Sequence, residues 1–152
     1  MANNPFLVES GRIQVPPVVT PVPPNPSVPN VIILDPYAEG VTSYAISWDQ
    51  LTALETVFII SNVTTIGLGG VLIYLPAVSS TQSGTKITIQ SMSVDDVVVE
   101  PGAGSQIDGD PAYSQTIKPA NGVAIGVITS ATYIADGQLT PQWYTLYNFI
   151  KI

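Results

Sequence analysis

The chain has no cysteine and no histidine in its 152 residues. The first absence removes disulfides, thiolate nucleophiles and Cys-based zinc sites. The second removes the commonest general acid/base and the commonest transition-metal ligand. Basic residues are scarce: Arg12, Lys86, Lys118 and Lys151 stand against 11 Asp and Glu, for a net charge of −7. Neutralising phosphates takes clustered Lys or Arg, so nucleic acid is excluded as a partner. An anionic membrane surface is disfavoured on the same ground. Long hydrophobic runs are lacking as well. The longest apolar stretches, such as Val71–Leu75 and residues 123–128, are short and broken or ended by Gly or Pro. A transmembrane helix, which needs about 18 apolar residues or more, is therefore not expected. The start, Met1-Ala2-Asn3-Asn4-Pro5, has no basic segment leading into an apolar one. No signal peptide is expected, and the protein is expected to be made in a cytoplasm.

What remains is apolar and rich in proline. Hydrophobic residues make up 45% and charged ones 10%, with a mean hydropathy of +0.35. An average soluble domain carries about 25% charged residues. Buried β-strands account for much of the surplus, and apolar surface covered by a partner accounts for the rest. Nine of the 14 prolines precede Tyr37. Each removes an N–H donor and pushes the preceding residue toward extended backbone, so this stretch cannot be helical. Polyproline II is its natural local state, and residues 15–29 would span on the order of 45 Å at the rise of that helix. An ordinary linker is polar and charged, but here proline alternates with valine. The expected contact residues of an arm lying on a neighbour are Val15, Pro16, Pro17, Val18, Val19, Val22, Pro23, Pro24 and Val28. Pro21-Val22-Pro23-Pro24 fits a PxxP ligand, yet no Arg flanks it to orient an SH3-type groove.

From Val31 the composition changes. Val31-Ile32-Ile33-Leu34 reads as a short buried strand. Tyr44, Ile46 and Trp48 share one face of an alternating segment, and residues 47–55 have room for one helical turn. Residues 56–61, 71–75, 85–90, 96–100, 106–108, 113–117, 123–129 and 142–150 read as strands by β-branched content and alternation. In residues 85–90, Ile87 and Ile89 point inward and Lys86, Thr88 and Gln90 outward. Such spacing predicts an all-β fold, a compact antiparallel β-sandwich or barrel. The expected organisation is an extended Pro-rich arm over residues 1–36 and a β-domain over residues 37–152.

Few residues invite chemistry. Asp95 and Asp96 with Glu100, and Asp108 with Asp110, are the only carboxylate clusters. Paired carboxylates can cleave glycosides and oxygen ligands suit calcium. Asp108-Gly109-Asp110-Pro111, however, reads as a turn, and the spacing is not that of a calcium loop. Gly67-Leu68-Gly69-Gly70 lacks the Lys-Ser/Thr of a phosphate cradle. Asn62-Val63-Thr64 fits a glycosylation sequon and reads as a turn. No catalytic residue, cofactor or metal is expected. In the last strand, alternation places Trp143, Thr145, Tyr147 and Phe149 on one face and Tyr144, Leu146 and Ile150 nearer the other. One face packs the core. Trp143, Tyr144, Tyr147 and Phe149 are the candidate interface aromatics, against a symmetry mate or against sugar rings.

The run from Thr56 to Tyr147 resembles a module of bacteriophage tail-fibre, spike and head-decoration proteins. Val71-Leu72-Ile73-Tyr74-Leu75-Pro76-Ala77 is similar to its apolar strand followed by Leu-Pro-Ala. Ser83-Gly84-Thr85-Lys86-Ile87-Thr88-Ile89-Gln90 is similar to its alternating Ile/Thr strand. Val97-Val98-Val99-Glu100-Pro101 followed by Ile107-Asp108-Gly109, and Ala135-Asp136-Gly137 followed by Trp143-Tyr144, complete the series. Five residues, Gln138 to Gln142, separate the last turn from Trp143, and the proline-rich arm is not part of the module. The resemblance implies a non-enzymatic virion protein. With the arm, it implies a capsid decoration or cement protein that docks on the major capsid protein or other virion subunits, as a homo-oligomer with a trimer favoured. The alternative it implies is a tail-fibre or spike component that recognises host surface glycans.

Overall fold

The computed structural model describes residues 28–61, 70–92, 95–118, 125 and 127–152, with Tyr147 by its backbone alone. Of the expected arm contacts only Val28 is among them; Val15, Pro16, Pro17, Val18, Val19, Val22, Pro23 and Pro24 lie outside the described residues, as do the sequon and Gly67 to Gly69.

Period-two alternation sets the inside and outside of each strand. Among the described residues nine strands result: β1 Asn30–Leu34, β2 Ser43–Ala45, β3 Glu55–Ile60, β4 Val71–Leu75, β5 Lys86–Ser91, β6 Val97–Pro101, β7 Gln115–Ile117, β8 Ile128–Asp136 and β9 Gln142–Ile150. In β5, Ile87 and Ile89 are fully buried while Lys86, Thr88 and Gln90 face outward, as the alternation requires. One sheet has the order β1-β3-β5-β8-β9 and the other the order β2-β4-β6-β7. Their inner faces share a single core that includes Phe58, Ile60, Ile73, Leu75 and Val99. The fold is thus an all-β sandwich.

Strand direction departs from the antiparallel expectation. The first six strands alternate between the sheets, so the neighbours β1–β3, β3–β5, β2–β4 and β4–β6 all run parallel. Only β5–β8, β8–β9 and β6–β7 are antiparallel. The connections explain this. A tight hairpin takes two to five residues; segments 35–42, 46–54, 61–70 and 76–85 are longer, and they and the five residues 92–96 each connect a strand of one sheet to a strand of the other. A strand of that opposite sheet then fills the role of a crossover element between parallel neighbours. The first crossing is closed by a short helix, α1 Pro36–Glu39. Asp35 caps it by accepting from the Ala38 N–H at 2.9 Å, and Gly40 ends it at φ +67. The second holds one 3-10 turn, Trp48–Gln50, where Ser47 N–H donates to the Gln50 side chain.

The boundary expected at residue 36 also moves. β1 pairs in register with β3, Asn30 opposite Thr56 through Leu34 opposite Ile60. Leu34 is buried and Ile32 packs on the core. Residues 30–36 therefore belong to the β-domain, because the four apolar residues of β1 extend the larger sheet by one strand. That strand is not buried throughout, as its apolar run suggested: it lies at the sheet edge, and Val31 and Ile33 face outward.

Trp143, expected as an interface residue, is instead a core residue with no exposed surface. Its Nε1–H donates to the Pro76 carbonyl at 2.7 Å, and Trp48 donates to the Ala77 carbonyl at 2.8 Å. The two indoles stack with centroids 5.5 Å apart. Together they hold the bend that ends β4.

Tyr133 on β8 is likewise fully buried, and its hydroxyl makes no hydrogen bond of ordinary geometry. Burial first, then the neighbouring Tyr113 and Asp108, pushes its ionisation well above the usual tyrosine range. The unfolded chain ionises there near pH 10 while the folded chain holds the proton, so this tyrosine contributes stability that is present below about pH 10 and lost above it. Tyr133→Phe is expected to leave stability at pH 7 unchanged or slightly raised, since it removes an unpaired buried hydroxyl. It is also expected to flatten the fall in stability between about pH 10 and 12. Urea unfolding followed across that range checks both.

Candidate functional site

The surface with a distinct chemistry is the outer face of the larger sheet. Pairing arranges it in rows. Val31, Val57, Thr88 and Thr132 lie side by side, and so do Ile33, Ile59, Gln90, Ser130 and Phe149. A third row, Glu55, Lys86, Ile134 and Tyr144, closes one end with one charge of each sign. Val31, Ile33 and Phe149 are 55%, 67% and 65% exposed. Apolar side chains thus flank a central polar strip, in which the Thr88 and Thr132 hydroxyls share a hydrogen bond of 2.8 Å. The smaller sheet differs: among the described residues, every exposed large apolar residue within a strand belongs to β1 or β9. The exposed large apolar strand residues thus lie on the two edge strands of one sheet.

A bulge decides what β9 contributes. Tyr133 pairs with Thr145 and Thr132 with Tyr147, which leaves Leu146 as an extra residue. One extra residue reverses the alternation beyond it. Phe149, expected on the face of Trp143, therefore sits opposite Ser130 and points out. Tyr144, before the bulge, pairs with Ile134 and is also exposed, at 40%. Tyr144 and Phe149 share the outer face, whereas Trp143 does not join them. The side chain of Tyr147 lies outside the described residues. Val28, just before β1, is exposed.

The free edges of the sheet are treated differently. Along the first half of β9, segment 106–108 binds the edge: Trp143 N–H donates to Gln106 O, and Asp108 N–H donates to Trp143 O at 2.9 Å. Asp108 adds its carboxylate, accepting from the backbone N–H and the hydroxyl of Thr145 at 2.9 and 2.7 Å. Asp108 can do this because it adopts a left-handed φ of +52 in a tight turn with Gly109. Three of the five carboxylates raised as candidate chemistry, Asp96, Asp108 and Asp110, thus have structural employment. Asp110 accepts from Ala112 N–H at 2.8 Å, and Asp96 pairs with Lys118 at 2.5 Å. Among the described residues no group of three or more Asp or Glu is placed to hold a metal, and no helix is long and apolar enough to cross a membrane.

The outer-face valine and isoleucine pairs of β1 and β3 were not singled out by the sequence. A run such as Val31-Ile32-Ile33-Leu34 does not say which of its sides meets solvent; only its place at the sheet edge does. No family model, curated protein or solved structure matches the chain.

Proposed function

We propose that the chain is a non-enzymatic virion structural protein, a capsid decoration or cement protein that docks on the major capsid protein or another virion subunit and clamps neighbours with its N-terminal arm. The observation that supports the reading is the junction at β1. There a valine- and proline-rich segment of 27 residues precedes the edge strand of the sheet whose outer face carries exposed apolar residues on both flanks. Such a chain offers two binding elements on one small domain, an extended arm and a flat face, which suits joining subunits better than transforming a substrate. Proline fixes φ before binding, so docking orders fewer degrees of freedom. The involvement of Asp96, Asp108 and Asp110 in structural contacts supports the absence of a hydrolytic role.

Imaging of the native particle by cryo-electron microscopy, or with a labelled antibody, tests the reading. Density over the capsid lattice, with arms crossing between capsomers, is the expected result. The exposed pair Tyr144 and Phe149 favours one alternative, a tail-fibre or spike component whose aromatic face binds host glycans. Density confined to the tail, with glycan binding lost on Tyr144→Ala and Phe149→Ala, would establish it. Absence from every particle overturns both.

A further inference from the structure

We propose that the outer face of the larger sheet is the receptor for the valine-proline arm of a second copy of this chain, so that the protein associates with itself by exchange of arms. This rests on the reading of the arm as a binding element and names what it binds.

Three features select this occupant. The first is chemistry. The face is uncharged across its two apolar rows, with Glu55, Lys86 and Asp136 toward one end. The arm is also neutral, since Glu9 and Arg12 are the only charged side chains of residues 1–27. The whole net charge of −7 therefore resides in the β-domain, which opposes direct domain-to-domain docking but not an arm. A polyproline II segment presents carbonyls and few N–H groups. The strip of Thr88, Gln90, Ser130 and Thr132 carries hydroxyl and amide donors between aliphatic flanks, the arrangement such a segment needs.

The second feature is period. Polyproline II repeats every three residues, so in that conformation Val19, Val22 and Val28 fall along one edge, with Val15 and Val18 along the next. Each edge lays a row of small apolar side chains against a row such as Ile33, Ile59 and Phe149.

The third is reach, which favours a second copy over the chain's own face. The arm precedes β1, an extended edge strand. Pro21, Pro23, Pro24, Pro26 and Pro29 fix φ over the stretch leading to it, and no glycine lies between Gly11 and Asn30 to reverse the chain cheaply. In polyproline II, residues 15–29 would span on the order of 45 Å, well beyond the width of the chain's own five-stranded sheet, about 19 Å at the usual strand spacing. A reach of that length suits a neighbouring copy.

The test uses full-length protein and two double variants. One disables the arm (Val19→Asp with Val22→Asp) and the other the face (Ile33→Lys with Phe149→Lys). Ile33 and Phe149 are exposed, so the fold is retained, checked by circular dichroism; Ile33→Gln with Phe149→Gln serves if the lysines disturb it. In analytical ultracentrifugation the wild type is expected to sediment as an oligomer and each variant as a monomer, association being weakened about 100-fold or more. An equimolar mixture of the two variants is expected to regain a heterodimer, because one intact arm meets one intact face. Wild type that stays monomeric at about 100 μM, well above a micromolar Kd, or a mixture that stays monomeric, overturns the exchange. Particle binding is read separately. A monomeric wild type that still saturates particles sinks the exchange and leaves the virion reading standing. An arm-exchanged oligomer absent from every particle does the reverse.

Discussion

A chain lacking residues 1–27 is expected to melt at the temperature of the full-length protein while losing its binding to the particle, whereas a chain lacking residues 1–36 is expected not to fold stably. The two truncations differ by only a few residues, but those residues are β1 and the start of α1. Cutting at 27 removes only what precedes the sheet. Cutting at 36 removes Leu34 and Ile32 from the core, along with the parallel ladder from Asn30–Thr56 to Leu34–Ile60. Full burial of an aliphatic side chain such as Leu34 is worth about 1.5–3 kcal/mol, and the partly buried Ile32 adds a smaller share. The uncovered Phe58 and Ile60, now on an open edge, add to that loss. The total, on the order of 5 kcal/mol or more, rivals the whole stability of a typical domain. Thermal melts of the two truncations, with sedimentation against intact particles, check the pair of outcomes. Equal stability of the two would mean that β1 contributes nothing to the fold. Undiminished particle binding without residues 1–27 would remove the arm from the mechanism.

Trp143→Ala is expected to cost about 3–5 kcal/mol, the range for truncating a large buried aromatic. Three things are lost together: a fully buried indole, its hydrogen bond to the Pro76 carbonyl, and the stacked surface for Trp48. The carbonyl keeps one partner, since the Ser105 hydroxyl also donates to it at 3.2 Å, so the cavity rather than an orphaned acceptor dominates. Trp143→Phe separates the two contributions. It retains most of the ring and loses the donor, and is expected to cost about 1–2 kcal/mol. Urea unfolding followed by far-ultraviolet circular dichroism measures both variants independently of the lost fluorophore. A loss below 1 kcal/mol for the alanine variant would mean that the indole is not part of the packed core.

The class of fold was legible from the residues. Alternation in residues 85–90 placed Ile87 and Ile89 inside before any tertiary information, and the β-branched run of residues 71–75 ended at Pro76 as its chemistry demands. The turn at Asp108-Gly109 was equally plain, because that pair accepts left-handed backbone at little cost. The aromatic face of β9 was not. Alternation carried past Leu146 assigned Phe149 to the side of Trp143, and a single bulged residue reversed it.

By itself the sequence determined local matters: which segments are extended, which side chains alternate inward, where the chain turns, and that an apolar, nearly uncharged arm precedes a β-domain. These follow from backbone sterics and from the period of side-chain burial, both of which act within a few residues. Only the tertiary structure decided that successive strands cross between two sheets and so lie parallel, that β1 belongs to the domain, and that Val31, Ile33, Tyr144 and Phe149 meet on one outer face. Those outcomes depend on which distant strand each edge pairs with and on one register shift, and both are set by packing the whole core at once.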